Sequence, residues 1–257
     1  MSIKRDLIAY QTIVRKEVTR FTRIWIQTIL PPAISMTLYF VIFGQLIGPR
    51  IGKMGGFSYM EYIAPGIIMM AVINSSYTNV VSSFFGAKFQ KHIEEMLIAP
   101  IPNFVILAGY ITGGVVRGLM VGVVVTGVAL FFTGLHINNF LVMASVVLMT
   151  AILFSLGGFL NGVFATKFDD ISIIPTFVLT PLTYLGGVFY SITLLPDFWQ
   201  SVSHANPVLY MVNTFRYGIL GVSDINIFTA FAIIIVFITA LIAASLYVLN
   251  RGIGLKA

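Results

Sequence analysis

Charge is the scarcest property of this chain: 9% of its 257 residues are Asp, Glu, Lys or Arg, against about a quarter in a soluble domain. With 58% hydrophobic residues and a mean hydropathy of +0.97, the sequence reads as one integral membrane domain over residues 1–257, with no separate soluble domain. Cysteine is absent, which excludes a disulfide framework, a thiolate metal site and a cysteine nucleophile. No Gly-x-x-x-x-Gly-Lys-[Ser/Thr] phosphate loop occurs; Gly48 to Met54 only echoes one, so the chain is not expected to hydrolyse ATP by itself. His92, His136 and His204 lie in three connections on both sides of the membrane, and they assemble neither a zinc cluster nor a hydrolytic triad. A membrane hydrolase or transferase therefore lacks its constellation, and no catalytic or metal residue is assigned. Glu61, Glu94, Glu95, Asp169, Asp170, Asp197 and Asp224 all fall at span ends or in connections. That weakens the case for a proton- or sodium-coupled carrier, which usually needs buried carboxylates. The formal charge of +6 raises nucleic acid as a partner, but the cations cluster where membrane topology explains them, and no nucleic-acid binding is expected.

What the chain has is long apolar runs. Six reach the length of about 20 residues that crosses a bilayer core: Trp25 to Ile47, Ile63 to Ala87, Phe104 to Phe132, Phe140 to Ala165, Ile171 to Tyr190 and Phe228 to Leu249. The expected fold is all-α and integral to the membrane, because barrel strands are about ten residues and alternate in polarity. Alternate connections hold eleven Lys and Arg on one side, counting Arg251 and Lys256 at the C-terminus, and three on the other, Arg50, Lys53 and Arg216. The positive-inside rule then puts both termini in the cytoplasm. Residues 1–23 precede the first span without a cleavage signal. Ile3, Leu7, Tyr10, Val14, Val18 and Phe21 recur on one helical face and Lys4, Arg5, Arg15, Lys16, Arg20 and Arg23 surround the other, the pattern of an interfacial helix on membrane lipid.

Three features interrupt this plan. Residues 86–101 form a charged island, with Lys88, Lys91, Glu94 and Glu95 beside an apolar ridge of Phe89, Ile93, Met96 and Leu97. It reads either as a handle whose ridge enters a cleft in a soluble partner or as a loop on headgroups. Residues 191–221 read as two re-entrant half-helices outside the membrane's midplane: Pro196-Asp197 starts one, Asn206 caps the second with Pro207 at its first position, and Gly218 and Gly221 offer stops. Re-entrant backbone needs protein or water around it, which places a pathway or gate nearby. Finally, polar stripes run along span two (Asn74, Ser75, Thr78, Asn79, Ser82, Ser83) and span five (Thr176, Thr180, Thr183, Tyr184). They suit either a pathway wall or helix packing. Arg117, inside span three, either meets an anionic substrate group or snorkels to the inner headgroups.

In this order, the amphipathic start, the island from Phe89 to Pro100, Leu185-Gly-Gly-Val-Phe-Tyr-Ser191 and Asn206-Pro-Val-Leu-Tyr210 with Arg216 resemble the membrane subunits of bacterial ABC exporters of the ABC-2 class, a group that includes polysaccharide, nodulation-factor and drug-export permeases. The resemblance implies a coupling helix, formed by Phe89, Lys91, Ile93, Glu94, Glu95, Met96 and Leu97, seated on a cytosolic ABC ATP-binding subunit, with Asp169 and Asp170 as a lesser contact. It implies that ATP and Mg²⁺ belong to that partner and no cofactor to this chain, and that a second copy of the chain completes the complex in the cytoplasmic membrane. Asn74, Thr78, Arg117, Thr176, Thr180, Thr183 and Tyr184 would line the path. Phe198, Trp199, Asn206, Pro207, Tyr210, Arg216 and Tyr217 would form the external gate. The alternative is a channel or secondary carrier that works without an ATPase.

Overall fold

The computed structural model describes residues 3–255; Met1 and Ser2 of the amphipathic start and Lys256, counted above among the C-terminal cations, lie outside the described residues. The chain is all-α apart from one short hairpin. Five helices are long and apolar enough to cross a membrane: Trp25–Ile51, Tyr59–Phe89, Asn103–Phe132, Phe140–Phe164 and Ile227–Arg251. These are spans one to four and span six.

The fifth expected span is shorter than the sequence suggests. The helix Asp170–Leu185 ends five residues before Tyr190, and the reason is the pair Gly186-Gly187. Gly187 takes φ +70°, a left-handed conformation that L side chains adopt at a cost. The chain turns there and buries Val188 and Phe189 against span two, where the Tyr59 hydroxyl donates to the Phe189 carbonyl at 3.0 Å. Spans one and five are also irregular along their length. Span one carries Pro31 and Pro32 and loosens to a π-helical stretch over Phe40–Ile47; span five does so over Pro175–Leu179. In span five, Pro175 opens the loosened stretch and has no amide to close the regular ladder.

Span two is the hub. Of its most apolar stretch 83% is buried, against 11–39% for the other four long spans, and spans three and four and the second half-helix pack directly on it. Small residues set the approach distances, as is usual where lipid offers no hydrophobic drive for helix association. A Cβ on Gly66 would lie 2.6 Å from the Val188 carbonyl oxygen. One on Gly158 of span four would lie 2.5 Å from the Tyr77 carbonyl oxygen. Gly114, Gly118 and Gly122 of span three face Val80, Ser76 and Val72 of span two.

In the N-terminal helix Ile3–Arg23, Ile3 and Leu7 of the expected apolar face are 85% and 52% exposed, and the side chains buried against the protein are Ile13, Glu17 and Phe21. Ile13 seats on Gly109 and Glu17 on Gly113 of span three, so the two helices run in the same direction over this stretch.

On the outer side, Lys53–Met54 and Phe57–Ser58 pair antiparallel, Lys53 opposite Ser58, around Gly55 and Gly56 at φ +61° and +87°. Two positive-φ residues are what a tight two-residue hairpin turn requires. Ser58 then starts span two with a capping box closed by Glu61. The re-entrant pair is present as Asp197–His204 and Pro207–Leu220. The Asn206 Oδ1 accepts the Val208 amide at 2.9 Å, and Gly221 at φ +77° closes the second piece. Gly218 is not a stop. It lies within the helix and serves close packing, since a Cβ there would lie 2.8 Å from the Met143 amide nitrogen.

Candidate functional site

The charged island resolves into two parts. Span two continues to Phe89, a left-handed Lys91 at φ 62° reverses the chain, and a separate helix covers His92–Ile98. Its ridge points inward. Ile93 is 2% exposed, and Met96 and Leu97 pack on a cluster that holds Ile13, Phe84, Leu107 and Val248. Of the four expected ridge residues, Ile93, Met96 and Leu97 face this chain's own core rather than a partner's cleft, since an apolar stripe next to an unfilled core buries there first, whereas Phe89 stays 59% exposed. The face left outward is mixed, with Lys91, His92, Glu94 and Glu95 exposed beside Phe89 and Ile98, the latter at 85%.

Neighbouring groups brace that helix. The Lys88 ammonium is buried and donates to the Val163 and Ala165 carbonyls at 2.6 and 2.8 Å, satisfying the end of span four. The Phe89 ring meets Phe168 edge-on at 5.0 Å, and Phe168 also meets Phe85 at 5.0 Å, tying the island to the second cytoplasmic connection. Asp170, ahead of the apolar run that begins at Ile171, accepts the Thr166 and Lys167 amides at 2.8 and 2.9 Å. Those amides, Thr166 first, hold its carboxyl below the ordinary carboxylate range. Asp170 is thus occupied by its own loop, while Asp169 stays exposed.

The two polar stripes separate. Asn79 and Ser83 of span two are occupied by the N-terminal helix: the Arg20 guanidinium donates to Asn79 Oδ1 at 2.8 Å and to its carbonyl at 3.0 Å. Ser83 donates to Glu17 Oε1 at 2.6 Å. Glu17, with no exposure at all, also pairs with Arg20 at 3.2 Å. This buried ionic knot was missed because Arg20 and Glu17 fell on the polar face of an amphipathic pattern. The signal that marks it is on the partner helix, in Gly109-x-x-x-Gly113, a spacing that lets two backbones approach closely. Thr78 of span two remains exposed, and Asn74 is half-buried with its amide donated to the Met70 carbonyl at 2.9 Å. On span five Thr176, Thr180 and Tyr184 are exposed, whereas Thr183 is buried and donates to the Thr180 carbonyl at 2.8 Å. The Tyr184 hydroxyl lies 3.4 Å from that of Tyr39 on span one.

Outside, Phe198 and Trp199 are exposed and meet edge-on at 5.3 Å. Tyr210 closes the hairpin on itself by donating to the His204 carbonyl at 2.7 Å, Pro207 opens the second half-helix, and Tyr217 is half-buried. Asn206 reaches across to donate to the Leu182 carbonyl at 2.6 Å, which fastens the hairpin to span five. Arg216 is fully buried, so it presents no surface to a passing molecule. Its guanidinium donates to Tyr62 and Gly187 carbonyls at 3.3 and 2.6 Å and to Asn213 Oδ1 at 3.3 Å, and it stacks 4.1 Å over the Tyr62 ring.

The sequence that builds these parts is similar to those of known proteins. Over 250 residues, 97% of this chain and 98% of theirs, it is 58% identical to the inner membrane transport permease YadH of Escherichia coli (strain K12) and to that of Shigella flexneri. It is 22% identical over 215 residues, 83% of each chain, to nodulation protein J of Rhizobium leguminosarum bv. viciae. The family described as ABC-2 type transporter matches residues 8–220, from within the N-terminal helix to the end of the second half-helix. On that match the chain belongs to the ABC-2 type transporter family.

Proposed function

We propose that this chain is the permease subunit of an ATP-driven exporter in the bacterial cytoplasmic membrane, with both termini inside, forming the translocation path with a second copy of itself. A separate ABC ATP-binding subunit carries the ATP and Mg²⁺; this chain has no cofactor of its own. The observation that supports the reading is the helix His92–Ile98. Its apolar side is locked into the cluster of Ile13, Phe84, Leu107 and Val248, while Glu94 and Glu95 face outward. A rigid body with a charged outer face and a root in several helices transmits a push from a partner to all of them at once. Closure of the two ATP-binding subunits would move these helices together, and spans one, two and five would part along Thr78, Thr176, Thr180 and Tyr184. The names of the relatives, an inner membrane transport permease and a nodulation protein, agree with membrane transport.

The buried Glu17 is the one observation that favours an ion-coupled carrier. Both of its oxygens are already occupied, one by Ser83 and one by Arg20, so it is not poised to load a proton or cation. Reversing the charge on the outer face tests the coupling. The double variant Glu94→Lys, Glu95→Lys is expected to insert and fold normally, because both side chains are exposed, yet to lose co-purification of the ATP-binding subunit and substrate-stimulated ATP hydrolysis. Unchanged retention and hydrolysis would remove this helix from the mechanism.

A further inference from the structure

The seam between the N-terminal helix and spans two and three holds more hydrogen-bond donors and more positive charge than its acceptors can satisfy. Arg117 makes no hydrogen bond or ion pair with any described residue, and its Nε is buried. Around it the Arg20 Nε, the Asn79 Nδ2, the Ser76 hydroxyl and the Tyr110 hydroxyl are also buried without a partner. These groups share one place. Tyr110, Gly113 and Arg117 lie at i, i+3 and i+7 on one face of span three. A Cβ on Gly113 would lie 2.6 Å from the Glu17 Cβ and 3.6 Å from Asn79 Nδ2, and the Arg20 charge acts on Arg117. Lys16 sits at the rim, its ammonium 5.6 Å from the Tyr110 ring centroid.

Glu17 is the acidic group facing this seam from among the described residues, and it is consumed by Arg20 and Ser83. Arg20 and Arg117 against Glu17 leave an excess of one positive charge, to which the exposed Lys16 adds at the rim. Water can satisfy donors, but it cannot neutralise charge in a partly desolvated site, which has a cost of several kcal/mol per uncompensated ion, roughly. The missing group is an anion with several acceptor oxygens.

Depth identifies its source. Because Ile13 sits on Gly109 and Glu17 on Gly113, the next turn of the N-terminal helix sets Arg20 beside Arg117, and span one begins just beyond, at Trp25. Arg117 therefore stands at the level where the chain enters the inner leaflet. From there to the end of span three at Phe132 the helix rises about 22 Å at 1.5 Å per residue, most of a hydrocarbon core of about 30 Å. We infer that Arg117, Arg20, Asn79 and Tyr110 form a binding site for the phosphate of an acidic phospholipid of the inner leaflet, which acts as the counter-ion that joins the N-terminal helix to spans two and three.

The test uses the full chain in its assembled complex, extracted gently and analysed by native mass spectrometry after exchange into nanodiscs of phosphatidylglycerol with phosphatidylcholine. The expected result is retained phosphatidylglycerol and a higher melting temperature than in phosphatidylcholine alone. Arg117→Gln should weaken that preference about five- to tenfold while leaving the melting temperature in phosphatidylcholine near that of the parent, since no hydrogen bond or ion pair to the protein is lost. Arg117→Lys, which keeps the charge but not the planar fork, should retain part of the preference, and Arg251→Gln, a basic change on span six, all of it. A preference that survives Arg117→Gln overturns the inference. So does inorganic phosphate in phosphatidylcholine discs reproducing the full stabilisation, because the ligand would then be a free anion.

Discussion

Among single residues, Arg216 shows how far a charge inside the membrane can be from transport. Counted as one of three cations on the outer side and expected at a gate, it is instead a staple holding span two, the Gly187 turn and the second half-helix together. Its planar fork meets two carbonyls and an amide oxygen, the last shared with the Asp224 amide. Arg216→Met would remove these bonds and cost about 1–3 kcal/mol, the range for a buried polar group that loses its partner. Arg216→Lys keeps the charge but supplies neither the fork nor the stacking on Tyr62, and it should fall between parent and Met. Thermal unfolding of detergent-extracted protein, followed by the two tryptophans, gives the order directly. A Lys variant as stable as the parent would mean that charge alone, without geometry, holds the site.

Whole elements were legible where their cause lies within about twenty consecutive residues, and were not where it lies on a neighbour. Apolar run length alone yields the four complete spans and the last one, and local capping yields the two half-helices at Asn206 and Gly221. The early end of span five was hidden because Leu185 to Tyr190 reads as a continued apolar run, while the stop comes from Gly187 and from docking of Val188 on Gly66. That contact makes a prediction in which two effects compete. Alanine is favoured over glycine in a helix by about 0.8–1.0 kcal/mol, yet a Cβ at position 66 would lie 2.6 Å from the Val188 carbonyl oxygen and 2.8 Å from its Cα. Backbone on both sides cannot yield as a side chain tip can, and overpacking of this kind costs about 1–3 kcal/mol. Gly66→Ala should therefore destabilise, and the 186–191 turn should become protease-sensitive before the rest; a stabilised variant would show that the turn is not fixed by this contact. The same blindness explains the helix His92–Ile98. Periodicity showed that Ile93, Met96 and Leu97 form a ridge, but not that the ridge faces its own protein, because the core that receives it also draws on Ile13 and Val248, far away in sequence.

For the molecule as a whole, the distribution of exposed polar groups separates a face that meets lipid from one that meets protein or water. Span six is the most apolar helix, with a hydropathy of 2.8 in its window, and it exposes Ile235, Val236 and Phe237, a surface suited to acyl chains. Spans one and five expose Ser35, Gln45, Thr176 and Thr180, and span one has a hydropathy of 1.6. Polar side chains at membrane depth turn toward protein or water, so the irregular, proline-bearing pair is the face expected to meet the second copy around the path. The absence of cysteine makes this directly measurable, because a single introduced thiol has no native competitor. Ser35→Cys and Thr176→Cys, near-isosteric changes at exposed positions, should each give a covalent dimer on mild oxidation in membranes, since a disulfide requires Cα atoms within about 7 Å and two-fold symmetry brings a residue near the axis against its own copy. Ile235→Cys on span six should stay monomeric under the same oxidant. Cross-linking at Ile235 with none at Ser35 or Thr176 would turn the assembly inside out, placing span six between the copies and leaving the threonines of span five to face lipid.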